Sequence, residues 1–143
     1  MKITIKRFDK SLPLPAYKTE GAVAMDCVAR EATAVEPHGL AYIPLNIAVK
    51  LPPGHFILMA PRSSLHKRGL MLPNSVGIFD EDFSGEDDEY KAAVYNFTDE
   101  AVTVERGERI TQLIVLPYVH AELQEVDTMG MPTRGGFGST GLH

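Results

Sequence analysis

The sequence contains no tryptophan and one cysteine, Cys27, so no internal disulfide can form and burial and hydrogen bonding must hold the fold. No basic-then-apolar leader opens the chain, which with the lone thiol reads as a cytoplasmic protein. Long apolar runs are also missing. The most apolar stretch, 110–119, is interrupted by Thr111, Gln112 and Pro117, well short of the roughly 18 residues a bilayer span needs, so no membrane crossing is expected. Nor is there a basic stripe. The net charge is −5, and seven acids without a base fall in the segment 80–89; setting these aside leaves 12 acids against 14 Lys and Arg. Polymeric nucleic acid is therefore excluded as an expected partner, whereas a small phosphorylated ligand met by a few local bases is not.

What is present is one domain's worth of strands. At 143 residues and 44% apolar content the chain can bury a single core. Strand-like runs at 3–8, 23–29, 47–51, 56–60, 90–97, 102–104, 110–116 and 119–126 alternate with Pro and Gly punctuation. Short strands at about this density predict an all-β sandwich or barrel. Alternation is clearest in Ile3-Thr-Ile-Lys6 and Val102-Thr-Val-Glu105, and the one helical patch is 64–68. The last dozen residues differ: 134–141 holds four glycines and one large apolar side chain, Phe137. Such a tail is a frayed end unless a ligand orders it.

Several familiar motifs fail. Gly136-Phe-Gly138-Ser-Thr-Gly141 fits G-x-G-x-x-G, but the two residues that follow are too few for the helix a dinucleotide site requires, and Leu142-His143 stand where a P-loop has Lys and Ser or Thr. Asp80, Asp82, Ser84 and Gly85 begin like a calcium loop whose twelfth position is Lys91 instead of Glu. The five histidines have no zinc-ligand spacing, and no G-x-S-x-G elbow occurs.

Three segments carry chemistry. Pro61-Arg-Ser-Ser64 places a guanidinium and two hydroxyls before the helical patch, a phosphate-binding arrangement, although Ser63 and Ser64 read equally well as N-caps. Leu72 to Gly85 reads as a hairpin. In it Asn74 has the donor and acceptor a pyrimidine edge needs, Phe83 offers a flat face for a sugar or base, and Asp80 ends an apolar run as a partly buried carboxylate able to hold a water, or else lies in a solvated acidic turn. Gln112, polar within an apolar strand, requires hydrogen-bond partners from a structural network or from a ligand.

Taken in order, Gly21-Ala-Val-Ala-Met-Asp-Cys-Val-Ala29, Pro61-Arg-Ser-Ser64, Gly77-Ile-Phe-Asp-Glu-Asp-Phe-Ser-Gly-Glu86, Gly107-Glu-Arg-Ile-Thr-Gln112 and Gly135-Gly-Phe-Gly-Ser-Thr-Gly141 resemble the five signature motifs of the trimeric dUTPase family. That resemblance implies a jelly-roll-like β-barrel over residues 1–131, a homotrimer, and a C-terminal arm, 132–143, exchanged to close a neighbour's active site. It implies hydrolysis of dUTP to dUMP and pyrophosphate. Asp80 would be the base for the water, and Asp26 would hold Mg²⁺ through water. Arg62, Ser63, Ser64 and Gln112 would contact phosphates; Asn74 and Gly77 would read uracil from the hairpin. Phe83 would lie under the deoxyribose, Phe137 would cover the base, and Arg134 would meet the γ-phosphate. The chain departs from the usual pattern in Phe83 for Tyr, Ser64 for Gly, about three extra acidic residues at 86–88, and an Arg134 directly adjacent to Gly135. Two alternatives share the fold: a dCTP deaminase, whose required Glu is replaced here by Ala93, three residues before Asn96, and a non-catalytic nucleotide-binding regulatory trimer.

Overall fold

Within residues 1–141, which the computed structural model describes, eleven strands and one 3-10 turn form an all-β, jelly-roll-like fold, and every strand pair is antiparallel. The strands are β1 Thr4–Arg7, β2 Met25–Val28, β3 Thr33–Val35, β4 Leu40–Pro44, β5 Ile47–Lys50, β6 His55–Pro61, β7 Leu70–Met71, β8 Gly77–Phe79, β9 Lys91–Asn96, β10 Val102–Val104 and β11 Arg109–Pro117. They build a four-stranded sheet in the order β2-β11-β6-β8, a three-stranded sheet β4-β9-β7, and the pairs β1-β5 and β10-β3. Ile57, Met59, Leu70, Tyr90, Val94 and Leu113 meet between them at 1% exposure or less. No helix among the described residues is long and apolar enough to cross a membrane.

The four-stranded sheet is apolar on both faces. Ile57 and Met59 of β6 point into the core, while Phe56, Leu58 and Ala60 alternate to the outside and remain half-buried. Register places Leu116 opposite Phe56, and Ile114 and Ile78 on either side of Leu58, so the outer stripe is continuous; Ile78 is 64% exposed.

Two expectations are corrected. Residues 119–126 form no strand: β11 ends at Pro117, and Val119 and Leu123 are 92% and 91% exposed. The alternation is real, but no strand edge within the described residues receives it. The 72–85 segment is not a hairpin, because β8 pairs with β6 whereas β9 pairs with β4 and β7. Stacking replaces the missing ladder: the rings of Phe79 and Tyr90 lie 3.7 Å apart at 5°, and Phe83 sits 6.1 Å from each. The acidic 86–88 stretch is tied at both flanks. Lys6 Nζ bonds the Glu86 carboxylate at 2.8 Å, and the 8%-exposed Glu89 side chain accepts from Arg30 Nε at 2.8 Å and from the Asn46 backbone N–H at 3.0 Å.

Asn96, fully buried at the end of β9, fills all four of its bonds: Nδ2 donates to Val35 O and Glu100 O at 2.9 and 2.7 Å, and Oδ1 accepts from Thr98 N and Oγ1 at 2.9 and 2.7 Å. Asn96→Ala removes all four bonds and leaves the carbonyl of the buried Val35 without its partner. It should cost about 1–3 kcal/mol in urea denaturation.

Candidate active site

Chemistry-bearing residues gather at the two opposite ends of the four-stranded sheet. At the first end, register sets Asp26 of β2 beside Gln112 of β11, which in turn lies beside Ala60 of β6. The Asp26 carboxylate is bracketed by two guanidiniums, Arg62 Nε at 3.1 Å from Oδ1 and Arg109 Nη1 at 2.9 Å from Oδ2. Gln112 Nε2 donates to Pro61 O at 3.0 Å, so the structural-network reading holds for one of its two N–H groups. Ser63 and Ser64 are exposed, and Ser64 makes no capping bond to the short 3-10 turn Leu65–Arg68. The N-cap reading of Ser64 therefore fails: its backbone is already helical, at φ −99°, ψ −4°, where a capping residue is extended. A cleft of about 430 Å³ opens beside them, rimmed by Arg62, Lys67, Arg68 and Arg109 against the single acid Glu108, which pairs with Arg68. This end presents positive charge to an anion.

The second end carries the acids. A cavity of about 550 Å³ is lined by Phe56, Ile78, Asp80, Asp82, Tyr118 and their neighbours. Asp80 was expected to be partly buried and is instead exposed. Strand alternation explains this, since Asp80 follows Ile78 onto the outer face, where Ile78 itself is exposed. Asn74 is exposed in the loop before β8, and its carbonyl accepts from Val76 N at 2.7 Å. Gly77 is buried against Met59, whose Cε would lie 2.9 Å from an added Cβ, so this position cannot take a side chain without displacing Met59. Phe83 spends part of its face on Phe79 and Tyr90 and is half-buried. Cys27 takes no part: burial pushes its thiol up to about 12, which leaves no thiolate for chemistry.

Arg134 and Phe137 are exposed on the tail, and among the described residues neither side chain makes a hydrogen bond or ion pair. Phe137 is fully exposed at φ +50°, on a turn in which Gly136 N donates to Ser139 Oγ at 2.8 Å. Leu142 and His143, the last residues of the expected arm, lie outside the described residues. The two ends do not meet within one chain. Asp80 follows Phe79, whose partner on β6 is Ile57, and Arg62 follows the other end of β6; five residues of strand separate these positions by roughly 17 Å. Among the described residues no three His, Cys, Asp or Glu side chains converge as a metal cage. Sequence reading missed Arg109, whose partner Asp26 lies 83 residues away, and Glu81 and Tyr118, which bond each other across 37 residues.

The dUTPase family model matches residues 10–141. The chain is 38% identical to the deoxyuridine 5'-triphosphate nucleotidohydrolase of Hahella chejuensis over 99% of its own length and 95% of that protein's. The dUTPase of Staphylococcus bacteriophage 80alpha, solved with dUPNHPP, superposes with a TM-score of 0.86 at 22% identity over 99% of both chains. A mutant dUTPase of phage phi11 of S. aureus, solved with a structural Mg(II) ion, superposes at 0.81 with 16% identity, covering 92% of this chain and all of that one.

Because Asp26 competes with any anion for Arg62 and Arg109, Asp26→Asn should bind pyrophosphate more tightly than wild type in metal-free buffer. Isothermal titration at low salt measures this; weaker binding would show that Asp26 serves instead to hold Arg62 in place.

Proposed function

The chain belongs to the dUTPase family, and from that membership and the placement of its charged groups we propose that it hydrolyses dUTP to dUMP and pyrophosphate in active sites shared between copies. The observation that carries this reading is the split of the chemistry: the exposed carboxylate Asp80 and the basic cleft around Arg62 lie at opposite ends of one sheet. The outer apolar stripe between them is the surface along which a second copy packs. A head-to-tail ring then sets the Asp80 end of one copy against the Arg62 end of the next. Three copies close the ring.

In that site Asp80 accepts the proton of a water as its oxygen bonds to the α-phosphorus. The bond from that phosphorus to the bridging oxygen breaks, and pyrophosphate leaves with the electron pair. Arg62, Ser63, Ser64 and Gln112 hold the phosphate oxygens, the arginine by charge-assisted bonds aimed at the leaving group. The residues present fit a Mg²⁺ carried in with the nucleotide, since no protein cage is needed and Asp26 would hold it through water; when bound it would supply positive charge against the developing phosphate charge. Asn74 and Gly77 border the uracil and Phe83 the deoxyribose. Residues 1–131 are the catalytic body and 132–143 the arm that closes a neighbour's site, with Phe137 over the base and Arg134 toward the γ-phosphate. The deaminase alternative lacks its carboxylate, since Ala93 stands in that place.

Asp80→Asn should keep the fold and nucleotide binding yet lower kcat by about 10²–10⁴-fold, the usual worth of a general base; dUMP production at wild-type rate removes Asp80 from the mechanism. Light scattering should return three times 15.7 kDa, and an active monomer contradicts the shared site. Phe137→Ala should slow hydrolysis clearly. Arg134→Ala should do so less, because its adjacency to Gly135 shortens its reach.

A further inference from the structure

Asp80 is held by its neighbours and not by bonds of its own. Among the described residues its side chain makes no hydrogen bond or ion pair, while Phe79 before it is fixed by the ladder to Ile57 and by its stack on Tyr90. After Asp80 the chain turns, Phe83 N bonding Asp80 O at 3.2 Å, and the side chain that ties this turn to another element is Glu81. Its Oε2 accepts two bonds at once, from Gly54 N–H at 2.7 Å in the turn between β5 and β6, and from Tyr118 Oη–H at 2.7 Å. Tyr118 follows Pro117, the last residue of β11, and is where the tail leaves the body; its own N–H donates back to Gly54 O at 3.0 Å. Three elements thus meet on one carboxylate oxygen and one residue, Gly54.

We propose that Glu81 and Tyr118 form a positioning clamp that locks the Asp80-bearing turn, and the root of the tail with it, to the backbone of Gly54. Glu81 touches no reacting atom in this role. It fixes where Asp80 points, and a misplacement of the base by a fraction of an ångström lengthens the proton transfer that Asp80 performs. The bond to Tyr118 and then that to Gly54 hold the Glu81 carboxyl below the ordinary glutamate range, and the same contact with Glu81 raises the Tyr118 phenol. Across neutral pH Glu81 stays an acceptor and Tyr118 a donor, as the geometry requires. Both bonds fall on one oxygen, so a glutamine whose amide oxygen takes that place preserves them without the charge.

The clamp rests on the assignment of Asp80 as base, and the test separates the two. Steady-state dUTP hydrolysis is measured for Tyr118→Phe, Glu81→Ala, Glu81→Gln and Asp80→Asn, each first checked for wild-type mass by light scattering. Tyr118→Phe, which removes a single oxygen from a half-buried ring, keeps the test meaningful if Glu81→Ala fails to fold. Expected are a fall in kcat of about 10-fold or more with unchanged KM in Tyr118→Phe and Glu81→Ala, near-wild-type kcat in Glu81→Gln, and no further loss when Tyr118→Phe is added to Asp80→Asn. Wild-type kcat in Tyr118→Phe and Glu81→Ala beside an inactive Asp80→Asn overturns the clamp alone. So does a Glu81→Gln as impaired as Glu81→Ala, or an effect confined to KM. An active Asp80→Asn overturns the base and the clamp together.

Discussion

A β-sheet with apolar side chains on both faces must be covered on both faces, and that constraint organises this molecule. Ile57, Met59 and Leu113 satisfy the inner face by packing into the core. Phe56, Leu58, Ile78, Ile114 and Leu116 leave an outer stripe that the described residues cover only in part. Leaving such a stripe in water forfeits roughly 25 cal/mol for each Å² that a partner could bury, and a contiguous patch of this kind on a small protein marks a contact surface. The proposal of shared active sites rests on the same sheet. Its length separates the acidic end from the basic end, and a neighbour packed along it is what can bring an acid and a base together.

The proposed division of the chemistry between copies would also protect the base. Asp26 illustrates what happens to a carboxylate placed beside Arg62 in the same chain: it is bracketed by two guanidiniums, one on each oxygen. Asp80 in that position would pair likewise and would not be free to face a water. It is instead held about 17 Å away along β6, and on the proposed assembly the phosphates of the substrate, rather than Asp80, would meet the arginines.

How much of this was legible in the sequence depended on the range of the interaction. Strands with a clear period of two, such as Ile3 to Lys6 and Val102 to Glu105, emerge as β1 and β10 within a residue or two. β3, β7 and β8 are two or three residues long and β4 ends in Pro44, so no window long enough to display a period exists for them. Asp80, Arg62 and Gln112 could be named from local motifs, whereas the burial of Asp80 could not be judged, because it depends on whether Ile78 faces the core or the outside. The partners of Asp26 and Glu81 were invisible for a simpler reason. Arg109 and Tyr118 reach them only through the register of β2 on β11 and the end of β11, which no local pattern encodes.

The segment after β11 shows the same limit from the other side. Val119, Ala121 and Leu123 alternate with His120, Glu122 and Gln124 as a strand should, yet the segment lies exposed without a ladder. A strand needs an edge as well as a pattern, since its backbone N–H and C=O groups gain nothing over water until a second strand accepts them and its apolar side chains find a surface. With Val119, Leu123, Met129, Met131 and Phe137 all more than three-quarters exposed, the tail carries more apolar surface than an end free in solvent requires. On the reading of an exchanged arm this is the expected state of one copy taken alone. On that reading the alternation would find its edge on a neighbour, and the glycines of 135–141 would let the last turn follow whatever that neighbour had bound. The clamp at Tyr118 then matters for direction as much as for the base, because a tail that must find another copy's site gains from leaving its own body at a fixed angle.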